Sequence, residues 1–262
     1  MAGRESVGTP TAEPKDAMTA RPTAPAPLEV ADGVFFVQGP ASNWIVLRDD
    51  REFTLVDSGY PGDTPAVLAS LKALGLEPSR TAAVVLTHAH VDHTGAARHL
   101  SAEHGVPVLA AAAERPAVRG QEQYQVTLPQ LVPLLWRPRV LAWAVHAVRA
   151  GGLTPNAITS DGEAADARLA ELPGHPRALP TPGHTPGHTA YRLAGDAVAT
   201  GDALITAHAL NGGGPPHVQP IHPVFDHDGA GAASSRQTLA GLGTVTVLPG
   251  HGPVLTADLS GR

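Results

Sequence analysis

The sequence of 262 residues contains no cysteine. This absence excludes disulfide bridges, cysteine-ligated zinc fingers and catalytic cysteine nucleophiles. Basic residues are also in deficit, because 18 lysines and arginines face 24 aspartates and glutamates, for a formal net charge of −6. A nucleic-acid-binding protein is expected to carry a basic excess, so the composition argues against nucleic acid as a partner.

The chain also lacks a long uninterrupted apolar run. Its most apolar stretch, residues 128–148, is broken by Pro133 and Pro138 and charged at Arg137 and Arg139. A membrane-spanning helix needs about 20 predominantly apolar residues, so this stretch is a poor candidate. The sequence therefore predicts no membrane partner.

The first 27 residues contain five prolines, charges that cancel and no apolar run. This composition predicts a disordered proline-rich tail at residues 1–27 rather than a signal peptide. Residues 28–262 are then expected to form one folded domain of a cytoplasmic protein. The composition leaves the oligomeric state open.

Histidine is the residue type in excess, with fourteen in the chain. Imidazole is the commonest metal ligand and a general acid or base near neutral pH. A cysteine-free, histidine-rich chain therefore indicates a metal enzyme, provided that the spacing of the histidines agrees.

Strand and helix signals are mixed from residue 28 onward, which predicts an α/β class. Short apolar runs predict strands at residues 33–37, 43–47, 53–56, 82–86, 106–109, 177–179, 189–193, 197–200 and 244–248. Apolar residues at helical spacing predict helices at residues 64–74, 94–104 and 234–242.

Residues 114–150 interrupt this pattern as a mostly helical insertion that holds Trp136 and Trp143. Two interpretations are equally open: the insertion packs onto the body, or it caps a substrate site with an apolar wall.

Residues 211–231 are rich in glycine, proline and histidine and are expected to form a long loop. A loop of this length is usually functional or mobile. Its histidines and aspartates are either solvated or form a lip facing a substrate: His217, His222, His227, Asp226 and Asp228. The remaining histidines outside the motifs below, His208 among them, are expected at the surface or at helix caps.

The densest motif has the form H-x-H-x-D-H and follows an apolar strand directly. It consists of His88, His90, Asp92 and His93. Alternate side chains of an extended segment point the same way, so His88, His90 and Asp92 are expected to converge with His93 adjacent. Burying these groups unpaired would be costly, and a bound metal would compensate for it.

Four further motifs place an aspartate or histidine just after a predicted strand. They are VDSG with Asp57, TPGHTPGH with His184 and His188, TGD with Asp202, and PGHG with His251. Strand ends at a common sheet edge can bring such residues together, and the neighbouring glycines permit tight turns.

Taken in order, VDSG, THAHVDH, TPGHTPGH, TGD and PGHG resemble the five-motif signature of the metallo-β-lactamase superfamily. The resemblance spans Asp57 to His251. It implies a four-layer αβ/βα sandwich with the helical insertion added, and a site at the edge where two sheets meet.

The resemblance also implies a binuclear site of the glyoxalase II and lactonase type. The first metal would be bound by His88, His90 and His184. The second would be bound by Asp92, His93 and His251. Asp202 would bridge both metals together with a hydroxide, and Asp57 and His188 would support the ligands from behind. Asp92 either accepts a proton during catalysis or serves only as a ligand.

These ligand types suit two Zn²⁺ ions, although Fe²⁺ or Mn²⁺ could also occupy such a site. Two close cations lower the pKa of a shared water from about 16 toward roughly 7, so a bridging hydroxide could attack a carbonyl. The implied function is hydrolysis of an ester, lactone or thiolester in a small, apolar acyl substrate.

Three departures from family patterns narrow this function. Zinc β-lactamases typically have cysteine or serine at the place of Asp202, which argues against β-lactamase-type amide hydrolysis. Many lactonases have tyrosine where this chain has Ile205. The helical domain that binds glutathione in glyoxalase II would follow His251, and its absence makes glutathione doubtful. The alternative is an iron-dependent persulfide dioxygenase, which needs a single iron.

Overall fold

The structure is a computed structural model that describes residues 26–260. The predicted disordered tail at residues 1–27 therefore lies almost wholly outside the described residues. Within the described part of the chain, every helix is too short or too polar to cross a membrane.

Two β-sheets form the centre of the molecule. The first has seven strands in chain order: β1 (Leu28–Ala31), β2 (Val34–Val37), β3 (Trp44–Asp49), β4 (Glu52–Val56), β5 (Thr81–Val85), β6 (Val108–Ala110) and β7 (Asp161–Glu163). The second has the spatial order β12-β11-β10-β9-β8: β8 (Arg177–Pro180), β9 (Thr189–Arg192), β10 (Ala197–Gly201), β11 (Thr244–Pro249) and β12 (Leu255–Asp258).

Seven α-helices accompany the sheets in the described residues: α1 (Thr64–Ala73), α2 (Val91–His104), α3 (Arg115–Val118), α4 (Leu128–Leu131), α5 (Pro138–Arg149), α6 (Asp166–Leu169) and α7 (Gly229–Ala240). Leu71 of α1 and Leu100 of α2 pack against Leu55 of the first sheet. Leu239 of α7 packs against Val247 of the second sheet. Each helical layer thus covers the outer face of one sheet.

The two sheets pack face to face through a second buried cluster. Leu47 of β3 and Tyr191 of β9 are both fully buried in it. The order of layers is therefore helix, sheet, sheet, helix, which confirms the predicted four-layer sandwich. Large apolar side chains at the inner faces supply the burial that stabilises this arrangement.

Parallel pairing places the site-bearing loops at one edge of each sheet. In the first sheet β4 and β5 run parallel with Val56 opposite Val85. In the second sheet β10 and β11 run parallel with Ala199 opposite Leu248. The carboxyl ends of parallel neighbours meet at the same edge, so the loops that follow these four strands lie side by side.

One local prediction at the densest motif is wrong. Helix α2 begins at Val91 with His90 as its extended N-terminal cap residue, instead of beginning at Thr94. Asp92 and His93 consequently lie in the first helical turn and do not continue an extended segment. A carboxylate in the first turn interacts favourably with the helix dipole, which favours the earlier start.

Other element boundaries also differ from the pattern. Strands β1, β7 and β12 were not predicted, because each has only three or four residues and is partly exposed, and β7 is only Asp-Gly-Glu. Helix α7 begins at Gly229 because the side chain of Asp228 accepts a hydrogen bond from the amide of Ala230. The predicted loop at 211–231 is correspondingly shorter.

Candidate metal centre

Seven side chains converge at the edge where the two sheets meet. Among the described residues, three overlapping groups each have ligand atoms within 4.8 Å of one another: His88, His90 and His184; Asp92, His93 and His251; and His88, His93 and Asp202. All seven residues are buried. The structure thus brings together every residue that the sequence predicts as a metal ligand.

The first group is formed by three imidazoles. His184 Nε2 lies 3.1 Å from His90 Nδ1. The ring centroid of His88 lies 4.5 Å from that of His90 and 4.7 Å from that of His184. Three neutral imidazoles at this spacing suit a divalent transition metal.

The second group combines two imidazoles with a carboxylate. Asp92 Oδ2 lies 3.7 Å from His93 Nε2 and 3.5 Å from His251 Nε2. The side chain of Asp92 keeps 13% of its exposure, whereas that of His93 has none. Asp92 is therefore the most exposed member of this group.

Asp202 lies between the two groups. Its Oδ2 is 3.5 Å from His184 Nε2 and 3.2 Å from His251 Nε2, and its Oδ1 is 3.5 Å from His93 Nε2. One carboxylate thus reaches nitrogen atoms of both groups. Gly250 leaves room for it, since a Cβ at that position would lie 2.2 Å from Asp202 Oδ1.

Three histidines have their outer ring nitrogen held by a hydrogen bond. His93 Nδ1 donates to Asp57 Oδ2 at 2.9 Å, and His251 Nδ1 donates to the carbonyl of Ala41 at 2.7 Å. His88 Nδ1 lies 3.0 Å from the hydroxyl of Thr87, which already donates its own proton to Asp57. Each Nδ1 is therefore held on the outside, and each Nε2 is the ring nitrogen that faces the centre and could bind a metal.

His90 has a comparable contact, whereas the outer nitrogen of His184 has no hydrogen-bond partner in the described part of the chain. His90 Nε2 lies 3.3 Å from the carbonyl of Tyr124, which leaves Nδ1 to face the centre. His184 Nδ1 lies 3.6 Å from Asp226 Oδ1, and Arg236 lies 3.8 Å from the other oxygen of that carboxylate. All five rings thus present one nitrogen to the same space.

Several buried atoms in this space have no hydrogen-bond partner in the described part of the chain. They are Nε2 of His88, Nε2 of His93 and Oδ1 of Asp202. Buried polar atoms are nearly always paired, because leaving one unpaired costs about 1–3 kcal/mol. Unpaired lone pairs on convergent nitrogen and oxygen atoms fit a cation, so the residues present match a divalent metal.

Asp57 and His188 support the group without facing it. Asp57 accepts hydrogen bonds from the amide of Thr87 at 2.8 Å, from its hydroxyl at 2.7 Å and from His93. His188 Nε2 accepts from the amide of Asp202 at 3.0 Å, and its Nδ1 donates to Thr181 Oγ1 at 2.8 Å. Both residues lie where the sequence places them, behind the ligand set.

Burial and neighbouring charges shift the pKa values of these histidines in opposite directions. Burial, followed by the neighbouring His184, lowers the pKa of His90 and of His188 to about 3. Burial also opposes protonation of His93, but Asp92, Asp57 and Asp202 outweigh it and raise its pKa to about 10. The second group is therefore the one whose carboxylates most strongly favour positive charge.

Glu114 is a site residue that the sequence does not reveal. Its side chain accepts hydrogen bonds from the amide of Ala89 at 2.8 Å, the hydroxyl of Thr185 at 2.8 Å and the amide of Gly187 at 2.9 Å. It is 1% exposed, and burial raises its pKa despite these bonds. Glu114 thereby joins the loop of His88 and His90 to the loop of His184.

A cavity of about 460 Å³ opens above the centre. Asp92, Asp202 and His251 form part of its floor, and Leu131, Trp143 and Phe225 form part of its wall. Trp136, by contrast, is 80% exposed. Helices α4 and α5 of the insertion therefore contribute directly to the space over the site.

His208 also lines this cavity, where the sequence predicted a surface or capping position. The capping prediction agrees with the structure, because His208 Nδ1 accepts from the amide of Leu210 at 3.3 Å. Its ring centroid lies 4.9 Å from that of His251. No motif marks His208, so only the tertiary structure shows that it lies beside the centre.

Comparison with known proteins agrees with this geometry. The family model described as the metallo-beta-lactamase superfamily matches residues 37–251. The probable metallo-hydrolase YflN of Bacillus subtilis is 30% identical over 239 residues, which cover 85% of this chain and 81% of that protein.

Two further similarities are narrower or structural. A hydroxyacylglutathione hydrolase of Alkalilimnicola ehrlichii is 45% identical over 74 residues, which cover 28% of each chain. The solved structure of TTHA1623 in a di-iron-bound form is 27% identical, with a TM-score of 0.60. That match covers 87% of this chain and 98% of that one.

Proposed function

This chain belongs to the metallo-β-lactamase superfamily and is a metal-dependent hydrolase, and from that premise we propose that it is a binuclear zinc enzyme cleaving an ester, lactone or thiolester bond. The observation that supports two metals is the completeness of both ligand groups. Neither group lacks a member, and Asp202 lies within 3.5 Å of nitrogen atoms in each.

In this proposal, His88, His90 and His184 hold the first metal, and Asp92, His93 and His251 hold the second. Asp202 reaches nitrogen atoms of both groups and would be the ligand common to both metals. Zinc bound in this way would supply a Lewis acid and lower the pKa of bound water to about 7. Asp57 and His188 hold the ligand-bearing loops in the geometry that binding requires.

Asp92 is the group best placed to accept a proton. It is the partly exposed carboxylate of the second ligand group and lines the floor of the cavity. A general base must lie within hydrogen-bonding reach of the reacting molecule, and Asp92 meets this requirement from the floor. Its roles as ligand and as proton acceptor are compatible, because a carboxylate has two oxygens.

The substrate bond is proposed from the cavity and from the relatives. The hydroxyacylglutathione hydrolase similarity supports a thiolester. The apolar wall formed with Leu131, Trp143 and Phe225 supports an apolar acyl group. Amide hydrolysis of the β-lactamase type is less favoured, because Asp202 stands where those enzymes typically have cysteine or serine.

An iron-dependent persulfide dioxygenase is the second candidate. The similarity to a protein solved in a di-iron-bound form supports iron as a possible metal. Such a dioxygenase needs one iron, however, and the complete group of Asp92, His93 and His251 is unnecessary for that chemistry. The second group therefore favours hydrolysis.

Metal stoichiometry and turnover together test the proposal. We expect close to two zinc ions per chain in the purified protein and hydrolysis of simple thiolesters, esters or lactones. His251→Ala should lose about one ion per chain, whereas the exposed loop variant His217→Ala should lose none. One iron per chain with oxygen consumption on a persulfide would instead establish the dioxygenase.

A further inference from the structure

The charge of the cavity lining is one-sided. Among the described residues that line the cavity, none is lysine or arginine. Four are carboxylates: Asp92, Glu114, Asp202 and Glu122. Asp92 and Asp202 lie at the floor, where the metals that they would bind offset their charge, and Glu114 is buried. Glu122 is exposed at the mouth, where it accepts a hydrogen bond from the hydroxyl of Tyr124, and it is the carboxylate left to face a substrate.

Three arginines beside lining residues are held by other groups. Arg98 Nη1 donates a hydrogen bond to the carbonyl of Pro155 at 2.9 Å. Pro155 lines the cavity, whereas Arg98 does not. Arg115 and Arg119 both bind Asp161, at 2.7 and 2.6 Å. None of these three guanidinium groups lines the cavity to meet an anionic substrate group.

Apolar side chains continue from the inner wall to the outside. Leu128, Val148 and Leu153 line the cavity and remain 56%, 48% and 64% exposed. They extend the wall that Leu131 and Trp143 form further inside. An extended hydrocarbon chain bound along them would bury apolar surface with each methylene group, which favours binding.

We propose that this cavity selects an acyl compound with an extended apolar chain and a neutral or cationic leaving group, and that it disfavours glutathione as the leaving group. This inference rests on the proposed function and specifies its substrate class. Hydrolysis of such a thiolester adds water across the C–S bond and releases a carboxylic acid and the free thiol.

The physical reason lies in the position of the carboxylates of glutathione. They are several bonds away from the sulfur, so with the thiolester over the metal centre they would lie along the wall or at the mouth. A carboxylate loses hydration there without gaining a cationic partner. Glu122 at the mouth adds like-charge repulsion, whereas a neutral leaving group meets neither cost.

Binding of two non-hydrolysable thioethers to the metal-loaded protein tests this selection. S-Hexyl-N-acetylcysteamine and S-hexylglutathione share the same alkyl chain, but the glutathione compound is larger and carries two carboxylates and an ammonium group, with a net negative charge. We expect isothermal titration calorimetry to give the neutral thioether a Kd at least about tenfold lower, a difference of 1.4 kcal/mol. Equal or tighter binding of S-hexylglutathione would overturn the proposal.

A matched pair of variants tests whether the lining charge is the cause. Gln125 lines the cavity and Gln121 does not, and both are exposed on the same segment. Gln125→Lys should tighten binding of S-hexylglutathione by about fivefold, with a clearly smaller gain for Gln121→Lys, because charge attraction weakens with distance. An equal response of the two variants would contradict the assignment of selectivity to the lining.

Turnover separates this inference from the proposed function. Hydrolysis of S-hexanoyl-N-acetylcysteamine is measured alongside the two dissociation constants. Hydrolysis of this compound in preference to S-hexanoylglutathione supports both proposals. If a broad set of thiolesters, esters and lactones is left intact, the proposed function fails, and the ratio of the dissociation constants still decides the selectivity of the cavity.

Discussion

Glu114 Oε2 accepts a hydrogen bond from the hydroxyl of Thr185 at 2.8 Å and thereby ties the insertion to the loop that bears His184. The same carboxylate accepts hydrogen bonds from the backbone amides of Ala89 and Gly187. Two ligand-bearing loops from different sheets thus depend on one buried side chain. The hydrogen bonds of Glu114 are expected to fix the positions of the first ligand group, since residues that contact metal ligands orient them.

Glu114→Ala should therefore destabilise the protein and weaken the first metal site. Its removal leaves two amides and one hydroxyl without their acceptor, at a cost of roughly 2–4 kcal/mol in the free energy of unfolding. Chemical denaturation and metal analysis measure the two effects. Glu122→Ala removes an exposed carboxylate nearby and serves as the control. Equal stability of the two variants would contradict the claim that Glu114 stabilises the two loops through its hydrogen bonds.

Asp57→Ala tests whether the hydrogen bond from His93 to Asp57 is needed for metal binding by the second ligand group. Asp57 fixes the proton of His93 on Nδ1, so its loss frees the ring to adopt the wrong tautomer. We expect affinity for the second metal to fall by about 10- to 100-fold, with the first metal retained. Competition titration with a chromophoric chelator resolves the two sites. Equal weakening of both metals would show that Asp57 acts on the whole fold.

Asp202→Ala should abolish hydrolysis while preserving the fold. The carboxylate lies between the two ligand groups, whereas the contact of its backbone amide with His188 does not involve the side chain. We expect kcat/KM to fall by at least about 10³-fold, with far-UV circular dichroism unchanged. Near-normal turnover and metal content would refute the bridging role.

The ligand set was predictable from sequence because each member lies in a short motif at a strand end. His88, Asp202 and His251 are examples, and parallel pairing brings their strand ends together. Glu114 and His208 were not predictable as site residues, because each is a single polar residue in a segment without a motif. Their contacts depend on how the insertion and the loop pack onto the sheets.

The structure also shows why the motif at residues 88–93 misled the helix prediction. The polar run His-Val-Asp-His has no apolar periodicity, so the first turn of α2 could not be recognised from its pattern. The predicted convergence of the four side chains is unaffected by this error, because an extended segment followed by a helical turn still directs them to one place. The exact direction of Asp92 and His93 required the structure.

Gly250→Ala should disturb the centre through steric contact alone. The added methyl group would lie 2.2 Å from Asp202 Oδ1 and 2.9 Å from the ring of His93. We expect loss of metal and of activity. Gly229→Ala is the matched control, because a Cβ at the first residue of α7 meets nothing within 4 Å. That control should keep full activity and gain up to about 1 kcal/mol of stability, and equal activity of the two variants would disprove the steric argument.

Asp161 provides a test of stability against pH away from the centre. Burial opposes its ionisation, but hydrogen bonds from Arg119 and Arg115 outweigh this effect and lower its pKa. A carboxyl group with a lowered pKa in the folded state stabilises the protein above its unfolded pKa of about 3.9, and this stabilisation is lost as the pH falls toward the folded value.

Asp161→Asn should thus have a lower Tm than the parent protein at pH 7. The difference should shrink below about pH 4, where the unfolded chain binds a proton at this carboxyl group before the folded protein does. Thermal unfolding between pH 3 and 7, followed by circular dichroism, measures this difference in Tm. Glu171→Gln, which removes the exposed ion pair between Arg168 and Glu171, is the control. A difference in Tm that stays constant across this range would mean that Asp161 stabilises the protein through packing rather than through its charge.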